Sequence, residues 1–186
     1  MNSYLIHSPL AHYANSAPDN PALTCNGQQM SYQELHASSN RLAQALIQIG
    51  VSAEDRIGIF MHKGLELGVA IYGILKAGCA FVPLDPFMPV ERLAFIADDC
   101  DIQILISADA MAPALHELHQ LTPSLHIVGV SQELPFTQSS WPDISHHDAV
   151  DPQLETIDQH LAYIMYTSGS TGEPKGMMHT LSLIHI

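Results

Sequence analysis

Between Arg56 and Val130, short apolar runs alternate with stretches of helical periodicity, and this alternation excludes most folds open to a chain of 186 residues. The runs Arg56 to Met61, Cys79 to Val82, Ile102 to Ile106 and His126 to Val130 have strand length. Between them, Leu65 to Lys76 (closed by Gly78), Glu91 to Asp98 (behind Pro89) and Ala112 to Leu121 repeat at helical spacing. Strands joined through crossover helices pair in parallel and take helices on both faces. The expected class is therefore α/β, a mostly parallel sheet flanked by helices. At 47% hydrophobic residues the chain has enough apolar side chain to bury a core as one domain.

Upstream, Asn26-Gly27 separates Ala22 to Cys25 from Gln28 to Ser31, and such a pair suits the tight turn of a small hairpin. Ser31 and Glu34 stand in capping-box spacing ahead of Leu35, Leu42, Leu46 and Ile49, so a helix is expected to run to Gly50. Downstream, Ser131 to Gln159 carries Pro135, Pro142 and Pro152 among polar residues and reads as a long surface connection. A last strand follows, Leu161 to Tyr166.

That strand opens into Tyr166-Thr167-Ser168-Gly169-Ser170-Thr171-Gly172-Glu173-Pro174-Lys175-Gly176. A loop of this composition at a strand end presents backbone N–H groups and hydroxyls on one concave side, an arrangement that accepts phosphate oxygens. A Gly/Ser-rich run alone is only a flexible turn. The preceding strand, the spaced glycines and the Pro-Lys-Gly closure make this run more than that. It is not a Walker A loop, because Gly169, Gly172 and Lys175 are evenly spaced and Gly176 follows the lysine. No G-x-G-x-x-G follows an early strand either. Thr167, Ser168, Gly169, Ser170, Thr171 and Gly172 are the candidate phosphate-gripping residues, with Lys175 as their cation.

Six Lys+Arg against 19 Asp+Glu give a net charge of −13, which repels the backbone of nucleic acids. A nucleotide is still within reach of an acidic protein, since a few oriented N–H groups and one lysine set the local potential. Lys175 is the only Lys or Arg after Arg92. Cys25, Cys79 and Cys100 form neither a disulfide framework nor a CxxC site, which fits a reducing cytoplasm. No segment reaches the length of a membrane span. Among 12 histidines, His116 and His119 could share a helix face and His146 and His147 are adjacent, but no Cys or carboxylate stands at ligand spacing. Surface histidines are expected there, and no metal site. Asp98, Asp99 and Asp101 read as a solvated acidic helix end.

Three separated stretches resemble the adenylate-forming family of acyl-CoA synthetases and nonribosomal peptide synthetase adenylation domains. Tyr166 to Gly176 is similar to the family's phosphate-loop signature, Leu75-Lys76-Ala77-Gly78-Cys79-Ala80-Phe81-Val82-Pro83-Leu84-Asp85-Pro86 to its leucine-lysine-alanine-glycine motif, and Met30 to Leu35 to an early element. The resemblance covers Met1 to about Thr180. It implies the first part of the family's large N-terminal domain, ATP and Mg2+ as cofactors, a fatty, aryl or amino acid as carboxylate substrate, and CoA or a phosphopantetheinylated carrier protein as acceptor. It further implies an acyl-adenylate formed with pyrophosphate release, and a catalytic role for Lys175 at the β- or γ-phosphate. Lys76 and Asp85 are read as structural, the lysine favoured at a helix C-terminus and the aspartate in a turn.

The family's adenine-binding aromatic segment, ribose-clasping aspartate, acidic magnesium residue and C-terminal domain have no counterpart here, so the chain is expected to be inactive alone. A noncatalytic module of the same fold, binding a nucleotide or a partner, is the alternative. Where the family places a pocket histidine, this chain has Leu181, and His179 stands two residues early without inheriting that role. Leu181 to Ile186 is what CTGTCTCTTATACACATC encodes, the end sequence of a transposon-based sequencing adapter. Residues 1–180 are therefore expected to be a partial synthetase domain, and residues 181–186 a non-native tail read from adapter.

Overall fold

The alternating runs become the centre of a seven-stranded sheet. The structure, a computed structural model, describes residues 5–131, 134, 136–168 and 174–182. Strands β3 (Arg56–Phe60), β4 (Ala80–Leu84), β5 (Ile104–Ser107) and β6 (His126–Val128) all lie parallel, Ile57 facing both Phe81 and Ile104, and Leu105 facing Ile127. With β7 (Thr137–Ser139), β8 (Leu161–Ser168) and β9 (Pro174–Thr180), the order across the sheet is β7-β6-β5-β3-β4-β8-β9. Within this sheet, among the described residues, only β8 and β9 pair antiparallel. β3 is followed by a neighbour on one side and β4 crosses back to the other, so with a constant crossover hand successive helices fall on opposite faces.

Strand pleating divides the core accordingly. Ile57, Ile59, Ile104 and Ile106 face α2 (Tyr32–Ile49) and α3 (Leu65–Lys76), where they meet Leu35, Leu42, Leu46, Val69 and Ile74. Phe60, Val82, Leu84, Leu105 and Ile127 face α4 (Val90–Asp99) and α5 (Ala112–Leu121) through Leu93, Ile96, Leu115 and Leu118.

The hairpin of β1 (Pro21–Cys25) and β2 (Gln28–Ser31) turns through Asn26 at φ 50° and Gly27 at φ 78°, the positive values an Asn-Gly pair supplies at least cost. Ser31 Oγ accepts from Glu34 N at 3.2 Å and Glu34 Oε2 accepts from Ser31 N at 2.8 Å, so the capping box is complete at the start of α2. An earlier helix, α1 (Ser8–Ser16), has only Leu10 and Ala14 buried; so thin an apolar stripe leaves little periodic signal.

Residues 131–159 are more than a surface connection. Thr137–Ser139 adds an edge strand, and Ser140 caps a short helix, α6 (Trp141–Ser145), in a second capping box with Asp143. Ile144 is buried, and Trp141 Nε1 donates to Ser107 O at 3.0 Å across the end of the sheet. Gly129, at φ 92°, lets that indole approach: a Cβ there would stand 2.8 Å from Trp141 Nε1. A polar three-residue strand and a five-residue helix are too short for periodicity to show. β4 also runs two residues past its expected end, with Pro83 inside it opposite Ile59. Among the described residues no helix is long and apolar enough to cross a membrane.

Candidate functional site

β8 runs parallel to β4, so its last residues, Thr167 and Ser168, reach the carboxyl edge of the sheet, where open α/β folds receive ligands. The chain returns as β9, and the Pro-Lys-Gly closure, expected as loop, is the start of this strand. Thr167 is the cross-strand partner of Lys175, and Ser168 of Pro174. Directly opposed residues project from the same face of a sheet. A hydroxyl and an ammonium are thus side by side at the mouth of the candidate phosphate loop, and both residues are exposed. Gly169, Ser170, Thr171 and Gly172 lie outside the described residues.

One residue back along each strand, Tyr166 faces Gly176. The tyrosine hydroxyl donates to Asp99 Oδ2 at the end of α4 and lies 3.2 Å from Cys100 Sγ. Burial, then the bonds to Asp99 and Cys100, push the phenol far above its ordinary range, so it stays a donor. Arg56 of β3 holds the same turn through Nε to Cys100 O, 2.8 Å, and an ion pair to Asp101 at 3.0 Å. The acidic helix end is therefore bonded in detail: Asp99 to a tyrosine and Asp101 to an arginine. No sequence signal joins Tyr166 to a helix end 67 residues earlier.

Asp85 behaves as its turn setting implies, Oδ1 accepting from Phe87 N at 3.0 Å. Phe87 is 84% exposed on the same carboxyl edge, its ring 5.3 Å from that of His62. Lys76 is structural as expected, but not by caring for a helix terminus. It is buried, with Nζ 2.6 Å from Asn40 Oδ1, 2.8 Å from Ser39 Oγ and 3.0 Å from His36 Nδ1. Burial lowers its pKa to about 8.

His179 stacks on Tyr163 at 4.5 Å, and Tyr163 on Phe81 at 5.3 Å, giving a three-ring row across β9, β8 and β4. Leu181 is buried against Leu5, Leu75 and Ala162. His116 and His119 both flank the Phe136 ring, at 6.1 and 4.0 Å. Among the described residues no three His, Cys, Asp or Glu gather where they could hold a metal.

The profile of the family described as AMP-binding enzyme matches residues 10–185. The chain belongs to that family. This AMP-binding enzyme chain is 36% identical over 173 residues to surfactin synthase subunit 1 of Bacillus subtilis, covering 93% of itself and 5% of the synthase. The solved structure of the anthranilate CoA ligase AuaEII with anthranoyl-AMP superposes at a TM-score of 0.85 and 23% identity, over 96% of this chain and 34% of the ligase, a likeness of fold. The AMPPNP-bound nonribosomal peptide synthetase FmoA3 matches at a TM-score of 0.76 and 25% identity, over 97% of this chain and 18% of the synthetase. The AMP-binding enzyme chain thus spans only a small part of the length of these relatives.

Proposed function

We propose that the chain is the phosphate-gripping part of an enzyme that activates a carboxylate with ATP. In that reaction a carboxylate oxygen attacks the α-phosphorus, the bond to the β-phosphate oxygen breaks, and pyrophosphate leaves. A thiol of CoA, or of a carrier protein's phosphopantetheine arm, then takes the acyl group from the adenylate. The observation that carries this reading is the pairing of Thr167 with Lys175 at the mouth of the loop, on the carboxyl edge of the sheet. The names of the relatives, peptide synthases and CoA ligases, support the same chemistry.

Negative charge gathers on the departing β,γ-phosphates, and the site's task is to meet it with fixed donors. Lys175, exposed on β9, supplies an ammonium; Thr167 supplies a hydroxyl from the facing strand. Thr167, Ser168, Gly169, Ser170, Thr171 and Gly172 form the grip, and Lys175 acts as a cation and not as a base. Mg2+ would be held at least in part on the polyphosphate's own oxygens; among the described residues no three His, Cys, Asp or Glu gather for it. When bound there it would neutralise part of the same charge.

The chain alone is proposed to be inactive and yet to bind nucleotide. Titration with MgATP, followed by calorimetry, tests this. Lys175→Ala is expected to weaken binding by about tenfold or more, the worth of one charge-assisted hydrogen bond. Equal binding by Lys175→Ala and the unaltered chain would remove the assignment.

A further inference from the structure

Two residues of the loop motif, Tyr166 and Gly176, have side-chain positions that the phosphate reading leaves unused. They face each other across β8 and β9 directly behind the Thr167–Lys175 pair. Gly176 is not at a positive φ, so its backbone does not require glycine; the space beside it is tight. A Cβ there would lie 3.1 Å from both Tyr166 Cζ and Ile164 Cγ2. The missing side chain leaves a slot in which the tyrosine ring lies over β9, and the ring's far end is bonded to Asp99 beside Cys100. The turn that receives it is itself fixed to the central strand by Arg56, through Cys100 O and Asp101.

We propose that Tyr166 is a positioning residue for phosphate binding: docked on Asp99, it fixes the two strand ends that carry Thr167 and Lys175 against the body of the sheet. This rests on the reading of the loop given above. The physical argument is one of order. Among the described residues β9 is an edge strand paired only with β8, and Lys175 has a long side chain in solvent. A cation on a loose edge holds its ligand weakly, because ordering it must be achieved at the moment of binding. The tyrosine removes that cost beforehand by tying β8, and through the ring β9, to α4 and β3. Ile164, which packs on the same face, offers only nondirectional contact; the hydroxyl adds a bond with one allowed geometry.

The test is amide hydrogen exchange of the whole chain, read with MgATP affinity, for Tyr166→Phe, Asp99→Asn, the double variant and Lys175→Ala. Tyr166→Phe keeps the ring and deletes the bond. Asp99→Asn keeps the tyrosine whole and weakens the acceptor, so it carries the test if Tyr166→Phe fails to fold. Each is expected to speed exchange at Thr167, Lys175 and Gly176 by about tenfold, leaving β3 and β5 unchanged. Each also weakens MgATP binding by about tenfold, and the double variant does no worse than either alone. Lys175→Ala loses affinity at unchanged exchange rates. Native exchange in both single variants, or faster exchange with unaltered MgATP affinity, would overturn the positioning role while Lys175→Ala still binds poorly. Full MgATP affinity in Lys175→Ala would instead overturn the phosphate reading, and with it the purpose assigned to Tyr166.

Discussion

Lys76, at the end of α3, places its Nζ 2.6 Å from Oδ1 of Asn40 on α2, in the buried seam between the two helices. Asn40 uses its other end to hold the irregular chain above: Nδ2 donates to Ala149 O at 2.8 Å and lies 3.3 Å from His36 Nε2. The network closes without two donors meeting when the lysine is neutral. His36 Nδ1–H then donates to Nζ, and Nε2 accepts from Asn40. A lysine pKa lowered to about 8 by burial brings that neutral form forward only above pH 8; at neutral pH the ammonium is still the major form.

Truncating Lys76 leaves Asn40, Ser39 and His36 without a shared partner in a buried place. Lys76→Ala is expected to destabilise the chain by about 2–4 kcal/mol, and Lys76→Met, which refills the volume, by less. Urea unfolding measures both. Because the folded pKa lies below the unfolded 10.5, the unfolded chain binds the extra proton between about pH 8 and 10.5. The cost of burying the ammonium is present below pH 8 and relieved as pH rises through that window. The stability difference between the native chain and Lys76→Met should shift in the native chain's favour across it; a flat difference would contradict the assignment.

His7, whose Nδ1 is buried with no hydrogen-bond partner, has its pKa lowered to about 4, first by burial and then by Lys76. The unfolded chain takes up this proton first, near pH 6.5, so stability falls as pH drops from 6.5 to 4. Melting temperatures measured over that range should decline in the native chain and decline less in His7→Phe. The window lies above that of Glu34 and Asp143, whose lowered pKa values take effect below the ordinary carboxylate range.

Thiol chemistry should single out one cysteine. Cys79 is buried and its pKa is pushed up to about 12 by burial, and Cys100 is buried and shifted in the same direction, so both stay protonated and shielded. Cys25 is partly exposed. An aromatic disulfide reagent is expected to release one equivalent rapidly from the native chain and three after denaturation. Loss of the fast equivalent in Cys25→Ser completes the check.

The α2–α3 seam has no room at Gly73. A Cβ there would lie 2.6 Å from Leu42 Cδ2 and 2.9 Å from Leu42 Cβ. Gly73→Ala is expected to destabilise by about 1–3 kcal/mol despite alanine's better helix propensity, because the helices must part. An unchanged urea midpoint would show that Leu42 yields freely.

Much of this was legible in the chain of residues because it is local. The Asn26-Gly27 turn, the Ser31–Glu34 box and the alternation of strands and helices depend on neighbours a few positions apart, and their chemistry acts whatever else is near. Tyr166 to Gly176 showed where a phosphate loop should start, and the sheet set Thr167 beside Lys175 at its mouth. What only the tertiary structure decided are meetings between distant residues. Lys76 looks like a helix-end lysine until α2 covers it, Asp99, exposed as expected, like a carboxylate with no partner in the chain until Tyr166 reaches it, and Trp141 like part of a loop until Ser107 accepts its N–H. The physical reason is that burial and hydrogen-bond partnership belong to pairs of surfaces, and no single segment carries the information about which surface will close over it.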